Sequence, residues 1–159
     1  MTQALLWSAL AVLVIIGALM AYGLLDLRKS KSDTTTIITT VTAELRAVGR
    51  TQPDFSWVND DYIINSGSVP NKYVRISGSE RSISVPHGGS LTFSPGITDQ
   101  SFDATIRWDA GGDIPEALCM HLASVRTGRI ATGTLGEEYE VTSSACFSET
   151  PELSVTYHR

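Results

Sequence analysis

At 159 residues the chain is long enough for one domain, and its formal charge of −5 is spread unevenly. Residues 1–25 hold 20 apolar side chains and no charged one, which excludes a plain cytosolic enzyme, because such a stretch needs a membrane or a protein that replaces one. Residues 26–50 sum to +2 and residues 51–159 to −7, so the C-terminal part is a poor direct binder of nucleic acid.

The first element is 3–25, QALLWSALAVLVIIGALMAYGLL. The 22 residues from Ala4 to Leu25 make a helix of about 33 Å, enough to cross a hydrocarbon core of about 30 Å. The run exceeds the apolar core of a signal peptide, and no small-residue cleavage site follows it. It is predicted to span a membrane, with Trp7 and Tyr22 at the interfaces. Arg28, Lys29 and Lys31 follow it and no basic residue precedes it. By the positive-inside rule the remainder should then stay in the cytoplasm. Two cysteines in the remainder point instead to an oxidising compartment. The conflict resolves if a basic leader ahead of Met1 set the topology and was then removed.

Residues 26–49 continue as DLRKSKSDTTTIITTVTAELRAVG. Leu27, Ile38, Val41, Leu45 and Val48 form an apolar stripe, widened by Ile37, at the spacing of an amphipathic helix. The threonines of 34–42 have poor helix propensity, so packing must hold them in place. Gly49 is a plausible C-cap, and Pro53 blocks continuation. The prediction is one helix over roughly 1–48, with Gly17 and Gly23 as weak points. The alternative is a membrane helix, a short linker and a separate second helix.

After Gly49 the period changes from helical to alternating. Short β-branched runs at 73–77, 82–85, 90–93, 104–108, 139–142 and 153–157 are mostly separated by Gly, Pro, Asn or Asp. His87, Gly88 and Gly89 suit a hairpin turn. One helix interrupts the strands, with Asp113 as its cap, Pro115 in its first turn and Glu116 completing a capping box. Leu118, Leu122 and Val125 give it an apolar stripe, and Gly128 ends it. The fold class is α+β: a long N-terminal helix packed on a mainly antiparallel sheet. Cys119 lies on the second helix and Cys146 precedes the last strand. Bonded, they would close a loop worth about 3.6 kcal/mol by chain entropy. Two unpaired thiols in a reducing compartment are the alternative.

Signatures of chemistry are missing. There is no GxGxxG, P-loop, HExxH, GxSxG or paired CxxC. His87, His121 and His158 lack ligand spacing. Glu137, Glu138 and Glu140, like Asp60 and Asp61, read as solvated acidic faces. No catalytic residue, cofactor or metal site is expected.

The uncharged 1–25 segment running into an amphipathic helix, the sheet, and the C-terminal stretch Asp113-Ile114-Pro115-Glu116-Ala117-Leu118-Cys119 with Leu122, Ala145-Cys146 and the strand 153–157 resemble type IV pilins. The similarity is to the type IVb branch and its thin conjugative-pilus subunits. It implies a filament-core helix over 1–25, its amphipathic continuation over 26–50, and a globular head over 51–159. It also implies a disulfide-bonded D-region at about 119–146. By the resemblance Met1 is the processed, usually methylated terminus. Leu5, Leu6, Leu10, Leu13, Val14, Ile16 and Gly17 would then pack the filament core. The implied function is a major pilin that waits in the bacterial inner membrane, head in the periplasm. It would then polymerise with the help of assembly machinery into an extracellular homopolymer for attachment or conjugative contact. Partners would include a minor pilin or adhesin. The alternatives are a minor pilin or pseudopilin, and a single-pass periplasmic binding or adhesion protein that never polymerises. The resemblance departs at Leu5, where most type IV pilins carry a Glu that pairs with a neighbour's N-terminal amine. That departure fits assembly without the pair, an initiating minor pilin, or a mature terminus other than Met1.

Overall fold

The computed structural model describes the backbone of residues 2–127 and 139–158, and side chains of residues 12–124 and 144–158. Its first element, α1 (Thr2–Gly49), is one unbroken helix of 48 residues, about 70 Å long. It runs through both Gly17 and Gly23 without a linker. From Leu27 onward the predicted stripe meets the sheet, with Ile37, Ile38, Val41 and Leu45 buried and Leu27 packed at the margin. The threonines are satisfied locally as well as by packing. Thr34, Thr36 and Thr39 donate their hydroxyls to the carbonyls of Ser30, Ser32 and Thr35, each at 2.8 Å, and Thr42 donates likewise to Ile38. Such bonds to the preceding turn give the hydroxyls partners inside the helix at a slight cost to its stability, which packing offsets. Gly49, the last residue of the helix, is required for a steric reason: a Cβ there would overlap the Phe55 ring that folds back over it.

Among the described residues the strands are β1 (Val74–Ser77), β2 (Glu80–Val85), β3 (Gly89–Pro95), β4 (Ser101–Trp108), β5 (Tyr139–Ala145) and β6 (Glu152–His158). They form one sheet in the order β1-β2-β3-β4-β6-β5, with every neighbour antiparallel. β4 sits inside the sheet and alternates as a half-buried strand should: Phe102, Ala104, Ile106 and Trp108 face the core. They meet Leu91 and Phe93 of β3, Leu153, Val155 and Tyr157 of β6, and the stripe of α1. The opposite face carries hydroxyls and carboxylates that pair across strands. Thr105 and Ser154 join at 2.9 Å, and Thr156 donates to Asp103 at 2.5 Å.

The second predicted helix is α3 (Asp113–Thr127); here the capping expectation needs correction. The amide of Glu116 donates to the carbonyl of Gly112 at 3.0 Å, so Gly112 holds the cap position and Asp113 begins the helix. Leu118 and Leu122 anchor α3 to the core. The side chain of Val125, and Gly128, lie outside the described residues.

Sequence reasoning did not find the short helix α2 (Asp60–Ser66) or the single 3-10 turn at Asn71–Tyr73. Asn59 caps α2 by accepting the Tyr62 amide at 2.8 Å, and Gly67, at φ 78, closes it. With α2 in place, Asp60 is not on a solvated face. The β2–β3 ladder stops at Ile83 opposite Leu91, and beyond it the Phe93 amide donates to the Asp60 carboxylate at 2.6 Å. Burial pushes the Asp60 carboxyl above its ordinary value, against the Phe93 bond, and Asp61 beside it adds to the rise. The folded protein therefore holds this proton more tightly than the unfolded chain. Its ionisation makes stability fall as pH rises from about 3.9 through the raised folded value. Asp60→Asn keeps an acceptor for Phe93 without the charge. It should equal or exceed the parent in stability at pH 7, with any advantage shrinking below about pH 4. Asp60→Ala leaves the amide unpaired and should lose roughly 1–3 kcal/mol. Denaturant titrations of the detergent-solubilised subunit at both pH values check both outcomes.

Candidate assembly surface

Among the described side chains, the head covers α1 only from about Leu27 onward. Residues 12–25 project beyond it, and their large apolar side chains are bare: Leu13 is 69% exposed, Val14 64%, Leu19 68% and Met20 67%. Ile16 is exposed too, at 45%, and a Cβ on Gly17 would meet only open space. A helix that is apolar on every side is stable only when something surrounds it. Of the residues predicted to build a filament core, Leu13, Val14, Ile16 and Gly17 thus stand ready on one continuous rod. Met1 and the side chains of Leu5, Leu6 and Leu10 lie outside the described residues. Among the described residues no helix is long and apolar enough to cross a membrane.

The boundary between bare and covered helix is marked by a contact that sequence spacing did not suggest. The β2–β3 turn holds His87 at φ 63 and Gly88 at φ 75. A left-handed conformation is uncommon for a residue with a side chain, although histidine is among those that tolerate it best. The turn aims the imidazole at α1: Nε2 lies 2.9 Å from the Ser30 hydroxyl and 3.3 Å from the Asp26 carboxylate. Behind it, the Trp108 indole N–H donates to the Pro86 carbonyl at 3.2 Å. His87 is therefore a clasp where α1 leaves the head, and the bond spans 57 positions of sequence.

Further along, α1 and α3 enclose a shallow open groove of about 400 Å³ lined by Lys31, Ser32, Thr35, Thr36, Thr39, Thr40 and His121. Partial burial lowers the His121 imidazole's affinity for a proton, and nearby Lys31 adds to that. His158 lies at the end of β6 opposite Ser101. Among the described residues no three His, Cys, Asp or Glu converge as metal ligands. Glu137 and Glu138, and the side chain of Glu140, lie outside the described residues.

The two cysteines are bonded. Cys119 of α3 joins Cys146 in the turn after β5, with Cα atoms 5.4 Å apart. The bridge fixes α3 to the β5–β6 end of the sheet, where the Gly111 amide also donates to the Glu149 carbonyl at 2.6 Å.

A long helix with a bare apolar stretch at 12–25 and a later part packed on an antiparallel sheet, with a C-terminal disulfide loop, is the architecture the resemblance implied. The bundlin family model matches residues 27–150, most of the chain, beginning where α1 meets the head. Neither the curated proteins nor the solved structures provide a match. The bare helix, the disulfide and the family match converge: the chain belongs to the bundlin family of type IV pilins, structural rather than enzymatic proteins that polymerise as one repeated subunit into a surface filament.

Proposed function

We propose that this chain is the major subunit of a type IVb pilus used for attachment or conjugative contact between cells. The observation that carries the reading is the bare apolar stretch 12–25 of α1, continuous with a stretch that the head covers. Before assembly the 22 uncharged residues from Ala4 to Leu25 would lie in the inner membrane, with the head in the periplasm. Assembly machinery would then move the subunit into a filament in which copies of the helix surround each other. Exchanging lipid for like helices changes little in apolar contact, so close packing must supply specificity. In this reading the D-region spans about 119–146, and a minor pilin or adhesin contacts the polymer. Electron microscopy of sheared surface material, with mass spectrometry of the intact subunit, tests the proposal. Filaments composed of this subunit support it, and a monomer recovered only from detergent overturns it in favour of a single-pass periplasmic protein.

Leu5 favours one second reading, a minor pilin or pseudopilin, because the carboxylate that would pair with a neighbour's amine is missing. For the major-subunit reading, Leu5→Glu should not raise filament yield and should lower it where the buried charge finds no partner. Leu5→Ala should be mild. Piliation of both variants beside the parent decides the matter, and a marked gain from Leu5→Glu would mean that the site still requires a carboxylate.

A further inference from the structure

The apolar run of α1 ends at Leu25, and the charged residues after it are sorted by flank. At helical spacing Asp26, Lys29 and Asp33 share one side. There Asp26 meets the His87 imidazole, and Asp33 lies within electrostatic reach of Lys72. Arg28 points to the other side, one turn before Lys31 and two before Thr35. That side leads into the groove between α1 and α3, where Lys31 and His121 stand among hydroxyls. Thr36 and Thr39 give their protons to α1 carbonyls. Among the described residues, the Ser32, Thr35 and Thr40 hydroxyls, the Lys31 ammonium and the His121 ring have no hydrogen-bond or ion-pair partner. Burial and the Lys31 charge both hold the His121 imidazole below its ordinary proton affinity, and an anion in the groove would counter the second of these.

We propose that this groove holds the phosphodiester headgroup of an anionic phospholipid while the subunit lies in the membrane. Arg28 stands at its mouth, Lys31 meets the phosphate, and the Ser32 and Thr35 hydroxyls donate to its oxygens. This rests on the membrane stage of the function proposed above and adds which lipid the subunit selects. The level is right. Arg28 and Lys31 lie about 4.5 and 9 Å past Leu25 along the helix, and headgroups fill roughly 5–8 Å beyond the hydrocarbon. Long basic side chains also reach back toward that layer. Charged donors form their strongest hydrogen bonds with such oxygens, and basic pockets beside a membrane span hold anionic headgroups. A zwitterionic lipid offers the same phosphate, but its own cation would crowd Arg28 and Lys31. A dissolved phosphate offers the same oxygens, but only a lipid has acyl chains to lay along the bare stretch 12–25. The site also gives Arg28 and Lys31 a use on a side of the membrane where the positive-inside rule does not expect them.

Native mass spectrometry of the full chain in neutral detergent micelles, offered equal amounts of phosphatidylglycerol and phosphatidylcholine, reads the selection. The parent should retain one phosphatidylglycerol in about twentyfold excess, and Lys31→Gln and Arg28→Gln should each lower that excess about fivefold. Lys31→Arg keeps the charge and should keep the selection. Lys29→Gln makes the same charge change on the other flank and should leave the excess intact, whereas a diffuse surface charge would make it as harmful as Lys31→Gln. Flotation with vesicles of phosphatidylcholine alone reads the membrane stage separately, because entry there needs only the apolar run. A parent that floats but retains both lipids equally, or a loss from Lys29→Gln as large as that from Lys31→Gln, would overturn the inference and leave the membrane stage standing. Displacement of the lipid by millimolar inorganic phosphate would assign the groove to a free anion and overturn it too. A parent that fails to float would defeat the membrane stage and the inference with it.

Discussion

Replacing Cys119 with serine should destabilise the subunit by roughly 2–5 kcal/mol. The bridge spans 27 positions, and closing such a loop in the unfolded chain is worth about 3.6 kcal/mol by entropy alone. The folded side adds to the expectation, because Cys119 is fully buried beside Leu118 and Leu122 on the face of α3 that meets the core. A cysteine pair acts as one unit, so Cys146→Ser and the double variant should lose about as much as Cys119→Ser. Urea denaturation of the solubilised subunit measures all three. A loss well under 1 kcal/mol, or losses that simply add, would contradict this account. Such a loss is a large share of the stability of a small domain, so filament yield should fall with it.

Val14→Asp should abolish filaments while leaving the head folded. Val14 stands on the bare part of α1, away from every residue of the core. The substitution therefore removes nothing that holds the head together, and its thermal melt should match the parent. In a polymer core the carboxylate would lose water without gaining a partner, a penalty that assembly cannot offset. Val14→Leu keeps the surface apolar and should assemble. Filaments of normal length and number from Val14→Asp would show that this face of the helix is not enclosed.

The sheet was legible because its strands are half buried. Ala104, Ile106 and Trp108 alternate with Thr105 and Arg107 in the sequence as they alternate between core and solvent in space. The long helix was legible for the same kind of reason, since the stripe from Ile37 to Leu45 repeats at the pitch of a helix facing one partner. α2 escaped because its seven residues are too few to display a period. Its signal lay in its ends, Asn59 before Asp60 and Gly67 after Ser66, a pattern of caps rather than of hydrophobicity. Asp60 and His87 escaped for a deeper reason. The first answers an amide exposed where one ladder stops, and the second reaches a helix brought near only by the completed fold. Gly49 was placed correctly at the helix end, but it is not a left-handed cap, and the Phe55 ring over it is what leaves no room for a side chain. For the assembly surface, sequence located the apolar helix, whereas which of its described side chains the head leaves bare depends on the completed fold.

The alignment of α1 with the strands has a mechanical consequence. Ser30 meets the β2–β3 turn at one end of the sheet, and Gly49 meets Phe55 beside the β3–β4 loop at the other. Tension along a fibre held by the bare segments would enter each head through its helix, parallel to β4. Pulling in that direction slides the whole stripe from Ile37 to Leu45 across the sheet at once and does not unzip it one side chain at a time. The His87 clasp lies at the loading point and takes the first strain. Endurance under pulling is governed by the rate of unfolding rather than by equilibrium stability, and an interface loaded in shear must break many contacts in a single event. A thread built from such subunits should stretch little before it parts.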